Sequence, residues 1–133
     1  FCAWLAGKAR ARVRLPSSAE WRQAAGGGDP LRVFPWGETF DASFTVTAFD
    51  GTSEPASRRV GTKPADVGPF GHLDLAGNVH EWLSDRAGRI PGEIAGGSYG
   101  DELAHEFAVA AHAKADPTQP FSPIGFRILV ELP

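Results

Sequence analysis

The stretch Leu73-Asp74-Leu75-Ala76-Gly77-Asn78-Val79-His80-Glu81-Trp82 carries the densest run of structural signals in this chain. Two carboxylates, Asp74 and Glu81, flank a Gly77-Asn78 pair that marks a sharp turn. That arrangement suits calcium, which takes about six to eight oxygens from carboxylates and from the carbonyls of a curved loop. The alternative is structural: Asp74 and Asn78 cap the turn, and Glu81 opens a short helical segment. Either way, residues 72–85 read as one compact unit, dense in polar groups.

Upstream of this unit, Phe1, Cys2, Leu5 and Ala9 recur at helical spacing with Trp4 alongside. The pattern predicts an amphipathic helix ending near Gly7. On it, Cys2 reads as a small buried hydrophobe. Lys8, Arg10, Arg12 and Arg14 alternate as the solvated face of a short strand, an acidic partner being the other reading. Ser17 and Glu20 have capping-box spacing, and the helix they open should pass Trp21 and end near Ala25. Gly26-Gly27-Gly28 stops it. Residues 29–72 form a long irregular stretch punctuated by Pro30, Pro35, Pro55, Pro64 and Pro69. Such a stretch in a compact domain is functional or pinned by something. Short strands are expected within it at 43–48 and 58–61. Downstream, 93–100 reads as a strand running into Gly96-Gly97-Ser98-Tyr99. The apolar run 107–113 fits strand or helix, and 124–132 is a strand pattern.

The chain has 133 residues, 42% hydrophobic and 22% charged, which describes one globular domain. A net charge of −3 excludes a general electrostatic grip on nucleic acid or on an anionic membrane. The single cysteine cannot form an internal disulfide. No apolar run approaches the roughly 20 residues of a membrane span, and no signal peptide is visible. The expected setting is therefore cytoplasmic. The chain contains no Met and opens directly into a helical pattern, so it reads as a piece of a longer protein.

Several motifs fall in a fixed order: Phe1-Cys2-Ala3-Trp4-Leu5, Arg14-Leu15-Pro16 through Glu20-Trp21, Phe34-Pro35-Trp36-Gly37, Val60-Gly61 and Phe70-Gly71. The Leu73–Trp82 stretch, Gly96-Gly97-Ser98-Tyr99 and Ile124-Gly125-Phe126-Arg127 complete the series. The ordered set resembles the sulfatase-modifying factor family, typified by the formylglycine-generating enzyme. The resemblance implies an α+β, modified C-type lectin fold, irregular with long loops. It implies one domain over residues 1–133, the C-terminal part of the family fold without its N-terminal portion. It also implies calcium ligands: the side chains of Asp74 and Glu81 and the carbonyls of Gly77 and Val79. A second calcium site would use Asp41 and Asp50. Trp21, Trp36, Trp82 and Phe126 belong to scaffold motifs and are expected in the core.

The enzyme that typifies the family oxidises a substrate cysteine with copper held by two cysteines, because thiolates are soft ligands for Cu(I). Those positions fall near Ala104 and Val109, so no copper is expected. Ala108 and His112 stand where family arginines fall. His105 and His112 lie seven apart with no third ligand nearby, a weak metal signal. His72 and His80 read as loop or surface residues.

Without the copper pair, the resemblance implies a non-catalytic module that displays a binding surface over residues 99–123. The candidate ligand-binding residues are Tyr99, Asp101, Glu102, His105, Phe107, His112, Asp116 and Phe121. An apolar patch rimmed by Asp101, Glu102, Glu106 and Asp116 would suit a protein or a small-molecule ligand. The same patch would alternatively pack against an N-terminal portion of the chain or a fused signalling domain. Variable proteins of diversity-generating retroelements are members of this kind. Their adenine-directed mutagenesis cannot generate Glu, Lys, Gln, Met or Trp from an Asn codon. Between Tyr99 and Pro123, only Glu102, Glu106, Lys114 and Gln119 fall outside the allowed set. Two further readings stand beside this one. One is an oxidoreductase of the wider family, such as the sulfoxide synthases, which need an iron-binding histidine cluster from another domain. The other is a sensor domain of a larger signalling protein such as a kinase.

Overall fold

The computed structural model describes residues 1–49, 51, 54–85, 92–120 and 123–132. Helix α1 spans Cys2–Ala9 and ends at Arg10, whose φ of 53° is left-handed. It runs past Gly7, because Lys8 and Ala9 are good helix formers and nothing breaks the chain before Arg10. No residue of α1 is buried, Cys2 being only partly covered and Trp4 61% exposed. The expected buried helix face is therefore corrected to a surface helix.

Strand β1, Arg12–Arg14, buries Val13 between an exposed Arg12 and a half-buried Arg14. Of the basic alternation Arg12 is exposed, Arg14 is half-buried between Glu20 and Glu131, and Lys8 and Arg10 belong to α1 and its end. Helix α2, Ser18–Gly26, opens with the expected capping box between Ser17 and Glu20. Arg14 also grips Glu20, donating from Nη1 at 2.7 Å and Nη2 at 2.6 Å. That ion pair, with the Ser17 hydrogen bonds, holds the Glu20 carboxyl down at about 2. Gly27 ends α2 with φ 68°, and a Cβ there would come within 2.8 Å of the Pro69 ring.

Four strands form the main sheet in the order β4-β3-β2-β5. They are β2 (His80–Trp82), β3 (Glu93–Ala95), β4 (His112–Lys114) and β5 (Ile124–Gly125). β2 and β5 are parallel, and the other two pairings are antiparallel. Strand β6 (Leu129–Glu131) pairs with β1 in a separate ribbon. The strand expected over 124–132 is thus two strands in two sheets. Glu81 lies in β2, not at the start of a helical segment. The 93–100 strand stops at Ala95, where Gly96 and Gly97 take positive φ.

Residues 43–48 form no strand: Ala42–Phe44 is a 3-10 turn, followed by one isolated bridge between Val46 and Gly77. Residues 58–61 form none either. There the Asn78 side chain substitutes for a neighbouring strand, accepting from Arg58 N at 2.8 Å and donating to Arg58 O at 3.2 Å.

The long 29–72 stretch is pinned from inside. Asp66, 1% exposed, accepts hydrogen bonds from the amides of Leu75 and Ala76. The Thr45 hydroxyl lies 3.1 Å from Asp66 Oδ2 and also contacts the Ala76 carbonyl. Burial pushes the Asp66 carboxyl up to about 7. A single Thr45 proton cannot serve both acceptors at once. Aromatic packing adds to this, with Phe34 stacked on Trp36 and Phe40 stacked on Phe107. One core cluster is Phe34, Ala76 and Phe107; the other joins Trp21, Ala25, Leu75, Leu83, Ala95 and Val109. Trp36 and Trp82 are only partly covered and Phe126 is 49% exposed, so of the four scaffold aromatics Trp21 alone is fully in the core.

Candidate functional site

The Asp74–Glu81 turn is built from residues that tolerate left-handed backbone. Asp74, Gly77 and Asn78 have φ of 52°, 79° and 61°. Gly77 is obligatory, since a Cβ would run into the Val46 carbonyl and the Thr45 hydroxyl. The turn delivers the chain into β2, where adjacent side chains face opposite ways. Glu81 and His80 therefore reach two different environments.

Glu81 is 7% exposed and fully engaged. Its Oε2 accepts from Trp21 Nε1 at 2.7 Å and Arg127 Nε at 2.5 Å, and its Oε1 from Arg127 Nη2 at 2.7 Å. Arg127 Nη2 also donates to the carbonyls of Leu73 and Asp74. Asp74 Oδ2 accepts from Gly61 N at 2.7 Å. The set Asp74, Gly77, Val79 and Glu81 does not fit calcium in this arrangement, because a guanidinium already neutralises the Glu81 carboxylate. The curved loop is held by Arg127 and by Asp66. Asp41 caps the Ala42–Phe44 turn through Ser43, and Asp50 lies outside the described residues.

On the other side, His80 opens onto a cavity of about 390 Å³. Among the described residues its titratable lining is His80, Asp101, His105, Glu106 and His112, joined by Ile94–Gly97, Ala110, Ala111 and Ala113. Phe107, fully buried, packs against Gly97 and so fixes the 3-10 turn Ala104–Phe107 that carries His105 and Glu106. Glu106 Oε2 accepts from the amides of Glu102 and Leu103, closing that turn. Asp101 Oδ2 accepts from Ser98 Oγ at 2.9 Å and lies 3.0 Å from His80 Nε2. His80 Nδ1 is buried with no hydrogen-bond partner. Desolvation lowers the His80 pKa, against the pull of Asp101 and Glu106.

Of the expected ligand-binding residues, the cavity gathers Asp101, His105 and His112. Phe107 is corrected: it is core, beneath the site and not in it. Tyr99 is half-buried, its amide bound to the Asn78 carbonyl. Glu102 is exposed and lends only its amide to Glu106. Asp116 is exposed and bonds locally to Thr118. Phe121 lies outside the described residues. Sequence reasoning missed His80, which is a mostly covered wall residue and not a surface one. Its alternation with Glu81 along an extended segment was the available signal. Among the described residues no group of three or more His, Cys, Asp or Glu could hold a metal ion, so His105 and His112 do not complete one. Ala104 is exposed and Val109 is packed against Gly26. A second groove, about 490 Å³, is lined mainly by Phe1, Cys2, Val13, Trp82 and Phe126. Among the described residues no helix is long and apolar enough to cross a membrane.

Few regular elements, a buried Glu–Arg–Trp junction and a long loop tied to a left-handed turn define an irregular α+β domain. Residues 1–132 match the sulfatase-modifying factor enzyme 1-like domain, and the chain belongs to that family. It is 35% identical over 94 residues to the formylglycine-generating enzyme of Mus musculus, covering 64% of this chain and 24% of that protein. It is 30% identical to the mouse inactive C-alpha-formylglycine-generating enzyme 2, over 96% of this chain and 44% of that protein. The serine/threonine-protein kinase pkn1 of Chlamydia caviae is 34% identical over 80% of this chain and 14% of its own length. The chain thus spans about a quarter of the mouse formylglycine-generating enzyme it matches. Among solved structures, Treponema denticola variable protein 1 superposes with a TM-score of 0.70 at 27% identity, over 89% of this chain and 47% of that one. PvdO from Pseudomonas aeruginosa superposes with a TM-score of 0.77 at 28% identity, over 98% and 57%. The fold is the one shared by these formylglycine-generating-enzyme-like proteins.

Proposed function

We propose that this domain is a non-catalytic ligand-binding module, whose site is the cavity formed where residues 96–113 fold over His80. The observation that carries the reading is the cavity itself. Among the described residues it is walled by parts of residues 94–113 and by His80 of β2, and it is lined by five titratable side chains. The resemblance to a variable protein and to a relative named inactive supports a binding role. Alanine and valine at the positions where the resemblance expects copper-binding cysteines support it from the chemistry.

The test is a diverse fragment library titrated into the whole chain and followed by amide chemical shifts. Hits should perturb residues 96–97 and 101–113, and His80→Gln should weaken them. Hits confined to the Phe1–Phe126 groove would move the site. Copper loading with a cysteine peptide and dioxygen should convert no cysteine to formylglycine by mass spectrometry; conversion would restore the oxidoreductase reading.

A second reading has its own support. The kinase relative aligns over four-fifths of this chain, which favours a sensor or docking domain within a signalling protein. The two readings are compatible, since a sensor also needs a ligand site. A kinase domain encoded upstream in the same gene would decide for it.

A further inference from the structure

Resting on the ligand-binding reading above, we propose that the cavity takes a small organic cation, a primary ammonium carried on a short apolar chain. Its polar wall offers the carboxylates of Asp101 and Glu106 as acceptors, beside the imidazoles of His80, His105 and His112. Each carboxylate spends its internal hydrogen bonds on one oxygen, Oδ2 of Asp101 and Oε2 of Glu106. Asp101 stands 3.0 Å from His80 Nε2 and selects the tautomer with the proton there. That makes Nδ1 a lone-pair acceptor sealed behind the wall, so the two carboxylates are the acceptors on the cavity side.

A primary ammonium has three N–H donors and no acceptor, so it matches this set. Among the described residues no lysine or arginine lines the cavity. The guanidinium of Arg22 stands 3.4 Å from His112 Nδ1, outside the lining, and bonds neither carboxylate. The rest of the wall is methyl-bearing, from Ile94, Ala110 and Ala113, and suits an alkyl chain. An anionic ligand would instead meet two carboxylates at close quarters.

The experiment titrates the whole chain with n-pentylammonium, pentanoate and 1-pentanol, which share a chain length and differ in head group. Pentylammonium should shift the amides of residues 96–113, with pentanoate and pentanol at least about tenfold weaker, since a charge-assisted bond outweighs a neutral one. Glu106→Gln keeps the acceptor that closes its turn and removes the charge; it should weaken pentylammonium about tenfold at unchanged melting temperature. Asp101→Asn should act in the same direction, and added salt should weaken the wild type. Equal or tighter binding of pentanoate, or of pentanol, overturns the cation assignment and leaves a ligand cavity standing. An ammonium response unchanged in both variants also overturns it. Silence from all three probes overturns it as well, while fragment hits on residues 96–113 would still uphold the cavity as a binding site.

Discussion

The two sides of β2 are a controlled contrast, because His80 and Glu81 share one backbone and meet opposite environments. Glu81 is saturated: three N–H groups from Trp21 and Arg127 reach its two oxygens. His80 is unsaturated, with one nitrogen held by Asp101 and the other buried and unpaired. The first arrangement ties α2, β2 and the segment after β5 into one frame. The second leaves an unpaired nitrogen behind a cavity wall. A strand carrying both separates the saturated frame from the proposed ligand site by a single residue of register.

The contrast breaks most severely at Arg127. Arg127→Ala strands a buried carboxylate, and chemical denaturation should show a loss of about 3–5 kcal/mol. Gly77→Ala should be comparably damaging, because φ of 79° and a backbone clash act together. His80→Gln, by contrast, touches only the part-buried bond to Asp101, which a Gln amide can still donate, and should cost no more than about 1 kcal/mol. Equal losses for Arg127→Ala and His80→Gln would erase the distinction between the two sides.

Acid–base titration of stability sharpens it further. Asp66 has a carboxyl raised from 3.8 unfolded to about 7 folded, so the folded state holds the extra proton between those values. Its contribution to stability is full below about pH 4, falls as pH rises, and levels off above about 7. His80 works the other way. Its folded pKa is lowered from 6.5, so stability is lost as pH drops below that value. Urea midpoints measured across this range should show the Asp66 slope more clearly in His80→Gln. Asp66→Asn should remove the slope that Asp66 causes.

Smaller effects test the periphery. Ser17→Ala deletes one half of the capping box and should cost about 1 kcal/mol in the same denaturation assay. The smallest effect is expected from chelation. With Glu81 neutralised by Arg127 rather than by an ion, melting should be the same with and without chelator. A drop would mean that calcium displaces the guanidinium in solution.

Much of the frame was legible in the sequence. The Ser17–Glu20 cap, the glycine stop after α2 and the short basic strand are local, set by neighbours within about four residues. The ordered motifs carried the family and the irregular α+β fold. What failed was long-range. Glu81 and Arg127 stand 46 residues apart, and no local pattern shows that a guanidinium, not a metal, meets that carboxylate. Asp66 is unremarkable in sequence, yet it is the anchor of the long loop. Phe107 read as a ligand-binding residue because a short apolar run that fits strand or helix does not reveal which way its side chains point. The sequence by itself determined where the chain turns, caps and stops, because those choices depend on backbone preference and nearby donors. Which buried charge is paired and which buried nitrogen is left without a partner emerged on folding, because burial and partnership depend on groups brought together from distant parts of the chain.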